Sequence, residues 1–363
     1  MKLSLNKMYI GTMSGTSFDG IDVCAISVGK SIKLVQFDSF KYPAKLKKEI
    51  SIAIEHQALG LKDYLMLHQK IGMAFAGAIN NFILKNSFTR KDFCAIGLSG
   101  QTLFHQPNSK YPFSIQAGDA GIISKECGID VVSDFRNDHI KLGGEGAPLV
   151  PEFHQKIFSS SNKARLIINI GGIANYSFLK NKQGFLGSDS GPGNALMDSY
   201  CQKYLNCAFD RNGLIARKGV IHQPSLEKML AHPFFKKEGA KSTGKEMFNL
   251  KFIPKILLTL SPEDILATLV ELTAITISVA IKSYEKSVDE IIICGGGIKN
   301  TFMQERISRH VLTPLKSSEV FGYPPQAIES MAFGWLASQR MDEKKMLVKR
   351  NKGLLGKINK FKL

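Results

Sequence analysis

Two segments, Tyr9–Val28 (YIGTMSGTSFDGIDVCAISV) and Leu166–Lys180 (LIINIGGIANYSFLK), each read as a strand, a glycine-rich turn and a second strand. In both, the turn joins strands directly. The dinucleotide fingerprint and the P-loop need a helix after their glycines, so neither motif applies. One such hairpin in each half of the chain predicts two similar domains facing a cleft, each lending a turn to one ligand. The expected boundary falls around residues 130–160 and is placed at 135. This gives a first domain over 1–135, a second over 136–343 and a basic tail over 344–363. The last helix of the second domain is free to pack back on the first.

A chain of 363 residues exceeds what one compact core usually fills, which agrees with two domains. Strand-like and helix-like stretches alternate, so the fold class is α/β. Strands are expected at Met8–Gly11, Asp22–Val28, Ile32–Tyr42, Ala95–Ser99, Val131–Ser133, Leu166–Ile170, Tyr176–Leu179 and Glu290–Cys294. Helices are expected at Leu61–Ser87, Gly118–Cys127, Gly193–Leu205, Pro262–Lys286, Thr301–Leu312 and Ala327–Asp342. The six cysteines stand singly, which suits reduced thiols better than a disulfide frame or a zinc site. The first residues lack a leader's apolar run, and Ile265–Ile281 reads as too short and too polar to span a bilayer. Cytoplasmic residence with no membrane partner is expected. The net charge of +17 invites a nucleic-acid reading. Much of the excess lies in KKMLVKRNKGLLGKINKFKL, read as a solvated, partly disordered end, so no specific nucleic-acid partner is expected.

Four glycine-bearing segments could carry chemistry. In GTMSGTSFDGID, Gly11, Gly15 and Gly20 bare the backbone, and Ser14, Thr16 and Ser17 can donate to phosphate oxygens. Asp19 and Asp22 would repel phosphate unless a divalent cation, Mg²⁺, lies between. A tight hairpin with Asx turns is the alternative. Asn169, Gly171 and Gly172 form the second turn. Asp189, in GSDSGPGNALMD, lies where glycine and proline hold the backbone before a helix. It is either a general base or, with Asn194, a candidate cap. Gly295, Gly296 and Gly297 follow a buried strand, as a nucleotide platform or as close helix–sheet packing. Arg136 could clamp an anionic or polar sugar group or form a surface ion pair. Glu329 opens an apolar helix, where the helix dipole alone would favour it.

Taken together, GTMSGTSFDGID, SGQTLFHQP, SDFRNDH, GGEGAPLVPEFH, NIGGIAN, SDSGPGNALMD, KSTGKEMFN, DILATLVELTA, CGGGIKN and AIESMAFGWLA resemble the anhydro-N-acetylmuramic acid kinases from about Tyr9 to Ala337. That family lies within the superfamily of acetate and sugar kinases, Hsp70 chaperones and actin. The resemblance implies two actin-like, ribonuclease H-like domains with mixed sheets flanking a nucleotide cleft, and a homodimer. It implies ATP-dependent conversion of 1,6-anhydro-N-acetylmuramic acid and water to N-acetylmuramic acid 6-phosphate, a step in peptidoglycan recycling. Asp189 matches the family's catalytic aspartate. Gly15, Thr16, Ser17, Phe18, Asp19, Gly20, Ile21 and Asp22 match its ATP-phosphate turn, and Arg136 and Glu329 match residues beside the sugar. The chain has Glu145 where the family often has glutamine, His139 where it has aspartate, and Ser190 where threonine is commoner. These departures bear on fine substrate contacts more than on reaction class. The competing readings are a kinase of another sugar or hydroxy acid, and a nucleotide-binding module without catalysis.

Overall fold

The computed structural model describes residues 7–15, 20–56, 58–180, 185–244, 247–349 and 351–362. In chain order the first strands are β1 (Lys7–Met13), β2 (Gly20–Val28), β3 (Ile32–Lys41), β4 (Phe93–Gly97), β5 (Gln101–Gln106), β6 (Phe113–Ala117) and β7 (Val131–Ser133). Next come β8 (Arg165–Ile170), β9 (Ile173–Leu179), β10 (Phe185–Pro192), β11 (Glu290–Cys294) and β12 (Leu315–Ser317). The last three are β13 (Met346–Val348), β14 (Asn351–Gly353) and β15 (Lys357–Asn359). The chain divides into two compact units, one of Met1–Phe153 with Ala327–Leu363 and one of His154–Gln326. The first unit runs on to Phe153, past the expected 135, and it takes in the helix Ile328–Met341, which the sequence reading left free to pack there, with everything after it.

The first unit is built on a six-stranded mixed sheet ordered β15-β7-β4-β1-β2-β3. The meander β1-β2-β3 is antiparallel, and β4 adds parallel to β1. The 25-residue helix Leu61–Lys85 supplies much of the core, with Ile71, Phe75, Ile79 and Phe82 fully buried. The helix Ile328–Met341 is also buried along most of its length. A Cβ on Gly11 would lie 1.9 Å from the Ser330 carbonyl oxygen, and one on Gly97 would lie 2.0 Å from that of Phe333. Bare backbone at these two positions is what lets the helix reach the sheet.

The second unit repeats the pattern with the order β10-β9-β8-β11-β12, three antiparallel strands followed by two parallel ones. The echo between the two hairpins is therefore a repeat of sheet topology. The core helix Pro262–Glu285 starts where expected: Ser261 Oγ accepts from the Asp264 amide at 3.2 Å, and Pro262 occupies the first turn. The expectation that this segment is too short and polar for a membrane is corrected, since Pro262–Tyr284 has the length and composition to cross one. It forms the centre of the second unit instead, with Ile265, Leu266, Val270, Leu272 and Ile277 fully buried.

The expectation of a partly disordered tail is also corrected, because the tail forms β13, β14 and β15 while its described lysines stay exposed. β15 pairs antiparallel with β7 and covers a sheet edge that would otherwise present unpaired amides and carbonyls. Acidic residues of the 130–138 segment hold it. Phe361 donates its amide to Asp130 Oδ1 at 2.8 Å, Gly356 donates to Asp138 Oδ2 at 3.1 Å, and Lys357 pairs with Asp134 at 2.6 Å. Lys357 and, through Asp342, Lys344 thus have acidic partners close by. Truncation after Lys344 should strip this strand and cost on the order of 2–4 kcal/mol, lowering Tm by roughly 5–10 °C in a thermal melt. An unchanged melt would show that β7 needs no cover.

Candidate functional site

In the second unit the hairpin turn, Asp189 and the triple glycine meet at one end of the sheet. The carbonyl of Gly172 accepts the amides of Gly193 at 2.9 Å and Ala195 at 3.0 Å, and the Gly171 carbonyl accepts that of Asn194 at 2.9 Å. The helix Ala195–Tyr204 therefore starts with its first amides satisfied by the turn, and Asn194 makes no side-chain cap. Thr273 Oγ1 donates to the Gly193 carbonyl at 3.0 Å and secures the same corner to the core helix. On the other flank, a Cβ on Gly295 would lie 2.4 Å from Asn169 Oδ1 and one on Gly297 would lie 2.3 Å from Ile170 Cγ2. Those two glycines serve close packing. Gly296 is exposed, and a Cβ there would meet nothing within 4 Å. Only the middle glycine of the three offers open backbone.

Asp189 lies inside β10, not in a turn as expected, and is 4% exposed. The pairing with β9 carries a bulge between Asp189 and Gly191, and Gly191 adopts φ +150°. Bulges re-aim side chains and recur beside active sites. Asp189 does not cap the following helix. Its Oδ2 accepts the Thr243 amide at 2.8 Å, and its own amide donates to the Lys241 carbonyl at 2.9 Å. Asn175 stands opposite both Asn169 and Asp189 in register, so these three polar side chains share one face of the sheet. Asn175 Oδ1 is buried without a hydrogen-bond partner among the described residues. The arrangement gives a carboxylate held by a backbone donor, on a polar row within an apolar unit, which suits proton removal.

In the first unit the structure places the other candidates. Thr16, Ser17, Phe18 and Asp19 lie outside the described residues. Ser14 is 4% exposed and spent on an internal network: Oγ donates to Gln101 Oε1 at 2.7 Å and accepts from the Tyr42 hydroxyl at 3.0 Å. Ile21 is a core residue, and a Cβ on Gly20 would lie 2.5 Å from the Phe40 carbonyl oxygen. Gly11 has the packing duty described above. Asp22, half-buried on β2, opposes Met13 and Ser39. No group of three or more His, Cys, Asp or Glu able to hold a metal occurs among the described residues. A single carboxylate such as Asp22 fits Mg²⁺, which keeps several waters and binds through one or two carboxylates plus phosphate.

Arg136 sits in the helix Phe135–Lys141, its Nη1 donating to the Gly146 carbonyl at 2.9 Å and its guanidinium 5.9 Å from the Phe333 ring centroid. His139 Nδ1 accepts the Gly146 amide at 2.9 Å. Burial, with Arg136 and Lys349 nearby, holds the His139 imidazole down at about 4, so it stays a neutral acceptor near pH 7. An aspartate could accept the same amide, which makes His139 a conservative replacement in function. Glu329 is half-buried in the first turn of Ile328–Met341. Asn175, Ser188, Lys241 and Thr243 lie in the quoted segments NIGGIAN, SDSGPGNALMD and KSTGKEMFN, but the sequence reading gave none of them a role. The last two come from 54 or fewer positions beyond Asp189, too far for any local pattern to show.

Comparison with known proteins follows the same line. The family model described as anhydro-N-acetylmuramic acid kinase matches residues 7–351. A relative of that name from Gamma-proteobacterium EBAC31A08 is 44% identical, covering 98% of this chain and 99% of its own. Another from Vibrio vulnificus (strain YJ016) is 36% identical, covering 93% of each. Among solved structures, the activator of the 2-hydroxyisocaproyl-CoA dehydratase from Clostridium difficile with bound ADPNP is similar at TM-score 0.48 and 13% identity, covering 94% of this chain and 99% of that one.

The corner at Gly193 yields a direct test. A Cβ there would lie 2.3 Å from the Gly171 carbonyl oxygen, so Gly193→Ala must displace backbone. It should destabilise the protein by roughly 1–3 kcal/mol, whereas Gly296→Ala should stay within about 0.5 kcal/mol of the parent. Denaturant titration of both variants checks the pair, and equal stabilities would contradict the packing described.

Proposed function

The chain belongs to the anhydro-N-acetylmuramic acid kinase family, and we propose that Asp189 is the general base of its reaction. The chain is an ATP-dependent phosphotransferase that converts 1,6-anhydro-N-acetylmuramic acid and water to N-acetylmuramic acid 6-phosphate in peptidoglycan recycling. The observation that carries the base assignment is a buried carboxylate with one oxygen held by the Thr243 amide.

The anhydro bridge joins C1 to O6 of the sugar. Asp189 removes a proton from water as its oxygen bonds to C1 and the C1–O6 bond breaks. O6 departs with the bonding pair and takes the γ-phosphoryl group of ATP, releasing ADP. Phosphoryl transfer asks mainly for positioning and charge neutralisation. Backbone at Gly15, Gly20, Gly171, Gly172 and Gly296, with Asn169, supports the phosphate and nucleotide contacts. Gly11, Ser14, Ile21, Gly295 and Gly297 contribute by shaping the backbone around them. Thr16, Ser17, Phe18 and Asp19 belong to the same phosphate turn by the family resemblance. Asp22, with Asp19, would hold Mg²⁺, directly or through water, and the cation would neutralise phosphate charge. Arg136 and Glu329 are assigned to the sugar. The resemblance also supports a cytoplasmic homodimer, testable by sedimentation of the purified protein.

Mass analysis of the product made in ¹⁸O-water should show one ¹⁸O at C1 and a phosphate on O6. Asp189→Asn should keep ATP affinity while losing about 10²–10⁴-fold in turnover, the usual worth of a general base. Near-normal turnover by that variant would remove Asp189 from the role.

A further inference from the structure

Lys241 is an ammonium in an unusual place. It is 8% exposed, and its Nζ donates to the carbonyls of Phe234 at 2.9 Å and Lys237 at 3.2 Å while lying 4.6 Å from the Phe234 ring centroid. The Phe234 carbonyl also accepts the Lys237 amide at 3.3 Å, so the ammonium adds a second donor there and another at Lys237, the residue that closes the short helix Pro233–Lys236. Burial, with Lys237 nearby, lowers its pKa, so holding a charge here opposes folding. An apolar side chain would fill the space at less cost.

What the ammonium secures is the path of the chain beside Asp189. Lys241 donates its amide to Ser188 Oγ at 3.0 Å, and its carbonyl accepts from Asp189 at 2.9 Å. Two residues on, the Thr243 amide reaches the carboxylate at 2.8 Å. The segment 241–243 thus runs along β10 as an outer neighbour, anchored at one end by a side chain whose ammonium bonds to the helix Pro233–Lys236 and to Lys237.

We propose that Lys241 is a positioning residue: by tethering segment 241–243 it holds the Thr243 N–H against Asp189 Oδ2 and orients the carboxylate for proton removal. The proposal rests on Asp189 being the base. Lys241→Met, which keeps the apolar stem and loses the donors, should lower kcat about 10- to 100-fold, the scale of a small misplacement of a reacting group. KM for ATP and for the anhydro sugar should both stay within about twofold, since neither is bound through Lys241. Lys241→Arg, which restores donors for the carbonyls, should recover kcat to within about threefold of the parent. Adding Lys241→Met to Asp189→Asn should cost nothing further, because residues acting through one group are not additive. Should Lys241→Met not fold, Thr243→Pro removes the N–H with the ammonium in place and should show the same loss of kcat. Parental kcat in folded Lys241→Met, or an undiminished loss in the Asp189→Asn background, overturns the proposal and leaves the base assignment standing. Near-normal turnover by Asp189→Asn alone overturns both.

Discussion

The second unit depends on the clasp in which two turn carbonyls, of Gly171 and Gly172, receive three amides from Gly193, Asn194 and Ala195. A helix N-terminus must find partners for its first amides, and most helices use a capping side chain or water. Here the β8–β9 turn does it, so the helix can begin only where the turn stands. β10 is the strand that leads into that helix, and its end is fixed by the same bonds. Asp189 sits four residues before the clasp, on a stretch where burial is complete from Ser188 to Gly193. The position of Asp189 is therefore set by backbone bonds, which tolerate less displacement than side-chain contacts.

Glycine in this chain divides into two kinds, and the division explains what sequence could and could not reveal. The hairpins, their echo, the α/β class and most helices were legible because alternation, caps and turn residues are local signals. The glycine-rich segments were legible as places, but not as roles. Gly11, Gly295 and Gly297 look identical in sequence to a bare ligand-facing backbone, yet a Cβ at each would strike a neighbouring element. Only Gly296 in the triplet lies open. The partners that make a glycine obligatory lie far along the chain, as Ser330 does from Gly11, and spacing carries no trace of them.

The same limit hid the environment of Asp189. Its strand read as a turn because GSDSGPGN is dense in turn formers, whereas pairing with β9 and a bulge at Gly191 draw those residues into the sheet. Lys241 and Thr243 belong to a segment without regular structure, and their contact with Asp189 is non-local. The tail misled for the opposite reason. Its lysines suggested solvation, but alternation in Lys357–Asn359 and the acids at 130, 134 and 138 supply a strand partner and counter-charges.

The repeat of one sheet order in both units makes their differences informative. The third strand of the first unit, β3, is mostly half-exposed or exposed along its length. Its counterpart β10 ends in five buried residues, Ser188 to Pro192, under the 241–243 segment and the following helix. The carboxylate on the first, Asp38, pairs with Lys85 and accepts from Asn86 Nδ2 at 2.8 Å. The carboxylate on the second, Asp189, is buried and accepts the Thr243 amide at 2.8 Å. The turns diverge in the same sense. In sequence the first carries hydroxyls and carboxylates, while the second is nearly bare and its carbonyls accept the amides of a helix start. One topology, used twice, thus leaves its third strand largely open in the first unit and buries the end of it beneath the 241–243 segment in the second.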